Sequence, residues 1–204
     1  MSNLHSTPEP HNADVMLAKA LTRLYRPAET LSSLRQFKPD ETRYAAHHAV
    51  YDLAADAVAA GGRLDQVQRT GSRYLLMVKG KPSATIEIET DPHGTTAGEF
   101  KLINHGPFVQ GTEKAIILAE SEADDEHYDF SLLRLAPLKL LILWLKSVDA
   151  SQAARFYVIE PAPTAFRTDI PYTEDALFAL MRPLAQALFI RHPGAGQGPS
   201  GLVG

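Results

Sequence analysis

The 204-residue chain contains no cysteine. That absence removes disulfides, thiolate metal sites and cysteine nucleophiles together, and it fits a reducing compartment. A basic run is missing as well. The formal net charge is −4 and the pI about 6.0, whereas a phosphate-binding surface normally needs a basic patch; no nucleic-acid partner is expected. The opening stretch, MSNLHSTPEPHNAD, has neither the charged start nor the apolar segment of a secretory signal, so a cytoplasmic location is expected. Long hydrophobic runs are also lacking. The longest uninterrupted apolar stretch, 140-LLILWL-145, has six residues, against the roughly 20 that a spanning helix requires. No membrane partner is expected.

What is present is an ordinary globular composition, 45% hydrophobic and 22% charged. The length suits one domain with ragged ends. Residues 1–12 are polar with two prolines and read as a disordered segment. Residues 13–192 read as a single domain. Residues 193–204, PGAGQGPSGLVG, read as a flexible glycine-rich tail.

Within the domain, Val15, Met16, Ala20, Leu21 and Leu24 give a helical period over 13–25, and Leu31, Leu34 and Phe37 suggest a further helical turn. The alanine-rich stretch 41–60 reads as a helix stopped by Gly61 and Gly62, with Tyr44, His48, Tyr51, Ala55 and Val58 on one face. Three strands follow in 63–90, with turns at Gly71-Ser72 and at Gly80-Lys81-Pro82. The third alternates Ala84, Ile86, Ile88 against Thr85, Glu87, Glu89. That pattern predicts one packed face and one wet face. Further strands are expected at 99–104, 115–120 and 155–160, and a last helix at 174–191 with a stripe of Leu177, Leu180, Leu184 and Leu188. The leucine-heavy segment between them reads as a buried helix from about residue 132, bent at Pro137. Its solvated stripe would carry Lys139 and Lys146, seven residues apart. The alternative is an extended 130–135 with a helix beginning near Pro137. The sum is an α+β fold: a mostly antiparallel sheet of about five or six strands with helices packed on one face.

Residues able to carry chemistry are few. Glu99 and Lys101 lie two apart on an expected strand and so share a face. With Glu87 they would make a metal-dependent hydrolytic site, the carboxylates holding a divalent ion and the lysine steadying phosphate charge. Glu99-Phe100-Lys101 resembles the E-x-K element of PD-(D/E)xK nucleases, in which an upstream aspartate completes the metal site; the nearest here is Asp91. The plainer reading is a cross-strand ion pair. No H-x-H, H-E-x-x-H, G-x-S-x-G or phosphate-cradling glycine loop occurs. Hence no catalytic residue, no metal site and no cofactor is assigned. The loops 90–98 and 104–113 carry His93, His105, Phe108 and Val109 as candidate binding residues. Tyr44, His48 and Tyr51 could line a small-ligand pocket between the sheet and the helix at 41–60.

These readings favour a non-enzymatic protein-binding or assembly module acting through the wet sheet face or the two loops, with another protein as partner. The alternatives are the metal-dependent hydrolase using Glu87, Glu99 and Lys101, and a small-ligand-binding domain.

Overall fold

A computed structural model describes residues 4–24, 42–123, 127–148 and 152–191. Two antiparallel meanders are joined along a central parallel seam. The first meander comprises β2 (Thr42–Asp52), β3 (Gln68–Val78), β4 (Lys81–Thr90) and β5 (Ala97–His105). The second comprises β6 (Tyr128–Leu135), β7 (Leu140–Ser147), β8 (Arg155–Ile159) and β9 (Pro171–Tyr172). The strand order is β5-β4-β3-β2-β6-β7-β8-β9. β2 and β6 run parallel, and the short β1 (Leu4–Ser6) also pairs parallel with β6. A parallel pair needs a crossover. Here the later meander strands and helix α3 (Pro107–Glu122) supply it, α3 touching β4 and β5 and then β7 and β8.

The expectation of a mostly antiparallel sheet of five or six strands with helices on one face is therefore corrected in three ways. Among the described residues the sheet has nine strands, it is mixed, and both faces carry helices. Helices α1 (Ala13–Leu24), α2 (Ala55–Ala59) and α4 (Glu174–Arg191) lie on one face. There α1 buries Ala13, Leu17 and Ala20 on Tyr74, Leu76, Ile86 and Ile88, while α2 and α4 bury Val58, Leu177, Phe178 and Met181 on Leu133, Leu135, Ile142 and Trp144. On the opposite face, Ala115, Ala119 and Ala123 meet Val50, Phe130, Leu132, Leu143 and Tyr157.

The leucine-heavy segment is buried, but as a hairpin and not as a helix. Leu132, Leu133, Leu140, Ile142, Leu143 and Leu145 are all fully buried. Strands β6 and β7 pair from Tyr128↔Ser147 to Leu135↔Leu140. Pro137 sits in the one-turn 3-10 connection, and Lys139 closes it with φ 51. A strand covered on both sides shows no alternation, so its sequence mimics a buried helix. Among the described residues no helix is long and apolar enough to cross a membrane.

The stretch 41–60 is likewise a strand, β2, followed by the short α2. A register shift between Ala45 and His47 interrupts its period-2 alternation. The resulting spacing of Tyr44, His48 and Tyr51 imitates a helix face. Conversely 115–120, expected as a strand, lies inside α3, and β3 runs unbroken through Gly71-Ser72. The helical turn expected near 29–37 and the tail at 193–204 fall outside the described residues. Leu4–Ser6, expected within a disordered segment, form β1.

Gly111 sets α3 against the backbone of Glu160, just past the end of β8. A Cβ there would collide with the backbone carbonyl of Glu160. Backbone cannot swing aside as a side chain can, so Gly111→Ala should destabilise by about 1–3 kcal/mol despite alanine's better helix propensity. Urea denaturation followed by circular dichroism checks this; an unchanged midpoint would mean α3 can lift at no cost.

Candidate functional site: buried charge on the face shared with α3

Sheet alternation assigns the site. In β6, Leu133 and Leu135 pack on the α2/α4 side, so Arg134 points to the opposite face. In β4, Ile86 and Ile88 pack under α1, so Thr85 and Glu87 point there too. Cross-strand partners share a face, and the pairs His48↔Arg73 and Arg73↔Glu87 continue the row across β2, β3 and β4. His48 also lies against Phe130, with ring centroids 5.4 Å apart.

Arg134 is the hub. Its guanidinium grips Asp52 through Nε and Nη2, the latter at 2.9 Å, and gives Nη1 to both oxygens of Glu87 at 3.0 and 3.1 Å. Lys101 Nζ lies 3.3 Å from Glu87 and 4.0 Å from Asp52. It reaches them because a register shift in β5 sets both Lys101 and Leu102 against the Glu87 position. Burial grades across the cluster: Glu87 is 1% exposed, Arg134 16%, Lys101 27% and Asp52 37%. Burial by itself would raise the Asp52 pKa, but the hydrogen bonds and charge of Arg134, helped by Thr70 and Lys101, hold it below the usual value. Burial also works against the Arg134 charge, and Asp52 and Glu87 more than restore it.

Arg73 and His48 differ from this satisfied set. Arg73 is 1% exposed and His48 0%. Nε and Nη2 of Arg73 and both ring nitrogens of His48 are buried without a hydrogen-bond partner, as is the Thr85 hydroxyl. Burial pushes the Arg73 pKa down to about 10; Glu87 opposes that shift and Arg134 adds to it. Arg73 therefore keeps its charge at neutral pH. Burial, with Arg73 and then His47 adding to it, lowers the His48 pKa well below its ordinary value, so the ring is neutral. Among the described residues the cluster holds three cations, Arg73, Arg134 and Lys101, against two carboxylates, Asp52 and Glu87. Arg134 satisfies both carboxylates. One buried positive charge is left over.

The residues expected from sequence are distributed as follows. Glu87 and Lys101 come together, while Glu99 is exposed and lines a shallow groove with Met16, Lys19, Ala20 and Phe100 beside α1. Of the face expected to be wet, Thr85 and Glu87 are buried and Glu89 is exposed. Tyr44, His48 and Tyr51 do not share a pocket face. Tyr44 is half-exposed at the edge of Tyr74, and Tyr51 sits on the α4 side against Trp144. His93 is exposed in the turn after β4, where Asp91 accepts the Thr95 and Thr96 amides, and its carbonyl faces Arg69. His105 ends β5; Phe108 and Val109 form the first turn of α3, with Val109 fully buried. Sequence reasoning missed Asp52, Arg73 and Arg134. The available signal was a lone arginine within an apolar strand, which needs a buried partner.

Compared with protein-family models, with curated proteins and with solved structures, the chain matches none.

Proposed function

We propose that this protein is a cytoplasmic, non-catalytic domain that binds a small ligand through an anionic group, carboxylate or phosphate, held by Arg73 and His48. One observation carries the reading: a charged guanidinium and an imidazole, adjacent and buried, both with unpartnered nitrogens. Leaving such groups unmet costs about 1–3 kcal/mol each, more for a charge. An anion would meet them and balance the leftover positive charge. Lys101 and Asp52, the exposed end of the cluster, mark the side from which a ligand would enter.

The metal-dependent hydrolase has less support, because Asp52 and Glu87 already spend their oxygens on Arg134. Docking of a protein on the sheet has less support because both sheet faces carry helices.

The test is Arg73→Met in thermal-shift assays with phosphate and with small mono- and dicarboxylic acids. Wild type should gain stability from at least one of them, and Arg73→Met should lose that gain. The ligand-free variant should be as stable as wild type, or up to about 1–4 kcal/mol more stable, since a buried unpaired charge has been replaced by a hydrophobe of similar volume. Should Arg73→Met destabilise the protein while no anion stabilises wild type, Arg73 is a structural member of the ion-pair lattice and the reading fails.

A further inference from the structure

We infer that His5 and His127 form a chelating site for a late first-row divalent metal ion, which clasps the N-terminal strand onto the sheet. β1 pairs with β6 over only three residues, Leu4↔Tyr128 to Ser6↔Phe130. Leu4 and Tyr128 are buried on one side of that ladder, so His5 and the flanking His127 project from the other. Both imidazoles are exposed. Nε2 of His5 lies 3.1 Å from Nδ1 of His127, and the ring centroids are 5.1 Å apart at 43°.

That separation suits a metal. Two imidazole nitrogens, each about 2.0–2.1 Å from an ion, stand 3.1 Å apart when they subtend about 95–102° at it. The middle of that range lies nearer the cis angle of square-planar or octahedral coordination, the geometry that copper and nickel favour, than the tetrahedral angle. Without metal the pair shares one hydrogen bond, one ring nitrogen donating and the other accepting. Metal binding needs a lone pair on both, so the donating nitrogen gives up its proton to solvent as the ion enters. Among the described residues no third histidine or carboxylate completes the set, so water fills the remaining positions and the ion stays exchangeable. The site joins two segments 122 residues apart in sequence. Binding to the folded chain alone therefore raises its stability by mass action. It shares no residue with the Arg73–His48 cluster and stands or falls independently of it.

The test uses the full chain with NiCl2 and CuCl2, by calorimetric titration and by paramagnetic resonance of the Cu2+ form. One saturable equivalent with imidazole-nitrogen hyperfine structure is expected, together with a rise in melting temperature. His5→Gln and His127→Gln should each weaken binding about tenfold or more, since each removes one of two ligands. Both positions are exposed, so folding is not at risk. His93→Gln, at an exposed turn, should leave binding unchanged. Affinity unaltered by either His5→Gln or His127→Gln would overturn the inference, as would failure of wild type to bind either metal.

Discussion

Arg134→Ala should lower the free energy of unfolding by about 3–5 kcal/mol, a large share of the 5–15 kcal/mol typical of a folded domain. The alanine does little harm of its own. The cost comes from what it leaves: Glu87, 1% exposed, would lose both bonds to the guanidinium and keep Lys101 at 3.3 Å and the charge of Arg73 across the strands, and Asp52 would lose both of its arginine bonds. Lysine would not rescue the site, because a point charge on a flexible stem cannot grip two carboxylates at once as the planar fork does. Arg134→Lys should therefore recover less than half of the loss. The double variant Arg134→Leu/Glu87→Leu should be far more stable than the sum of its single changes, because neither charge is then left buried alone. Urea denaturation of the four proteins gives the coupling energy. A loss below about 1 kcal/mol for Arg134→Ala would place the cluster among solvated surface pairs.

Mild acid should be the second large perturbation. Burial, helped by Arg69, lowers the His47 pKa to about 4, and His48 is pushed well below its usual value by burial, Arg73 and His47. The unfolded chain takes up protons near pH 6.5 that the native chain refuses. Both contributions are thus fully present above that pH and are lost as pH falls through the window between about 6.5 and the lowered values. Each depressed histidine can add a slope of up to about 1.4 kcal/mol per pH unit. His47 is partly exposed, so solvent screening reduces its share. Together they predict a loss of about 3 kcal/mol between pH 6.5 and 5. The carboxylate Asp52, whose pKa is lowered, contributes only at more acid pH. Unfolding midpoints measured across pH 5–8 test this. The slope should fall in His48→Leu, and a flat profile in wild type would mean that the ring is solvated. An anion bound beside His48 would favour its protonated form, so the proposed ligand should also blunt the acid sensitivity.

Arg134 and His48 also show why the site was hard to read in advance. In 130-FSLLRLAPLKLL-141 the arginine looks like the edge of a solvated helix stripe. On a strand the same residue faces the interior, and its partners Asp52 and Glu87 come from segments 82 and 47 residues away. His48 shared an apparent helix face with Tyr44 and Tyr51 only because a register shift breaks the strand period. Lys101 met Glu87, as its placement on a neighbouring strand suggested, yet a shift in β5 separated it from Glu99, its neighbour in the E-x-K element.

The sequence alone determined the local matters. The helices α1 and α4 and the strands β4 and β8 were legible as elements, from helical spacing and from short apolar or alternating runs, but their buried faces were not: Val15 is exposed, Leu180, Leu184 and Leu188 are only half-buried, and β4 and β8 are buried on both sides. The shielding of the leucine-rich segment was legible too, which follows from the number of apolar side chains and not from their conformation. Only the tertiary structure decided whether 42–52 and 128–147 were helical or extended, because elements covered on both faces lose the period that identifies them. It alone brought Asp52, Arg73, Glu87 and Arg134 together. Charges meet across a sheet through register, and register is set by strands far apart in the chain.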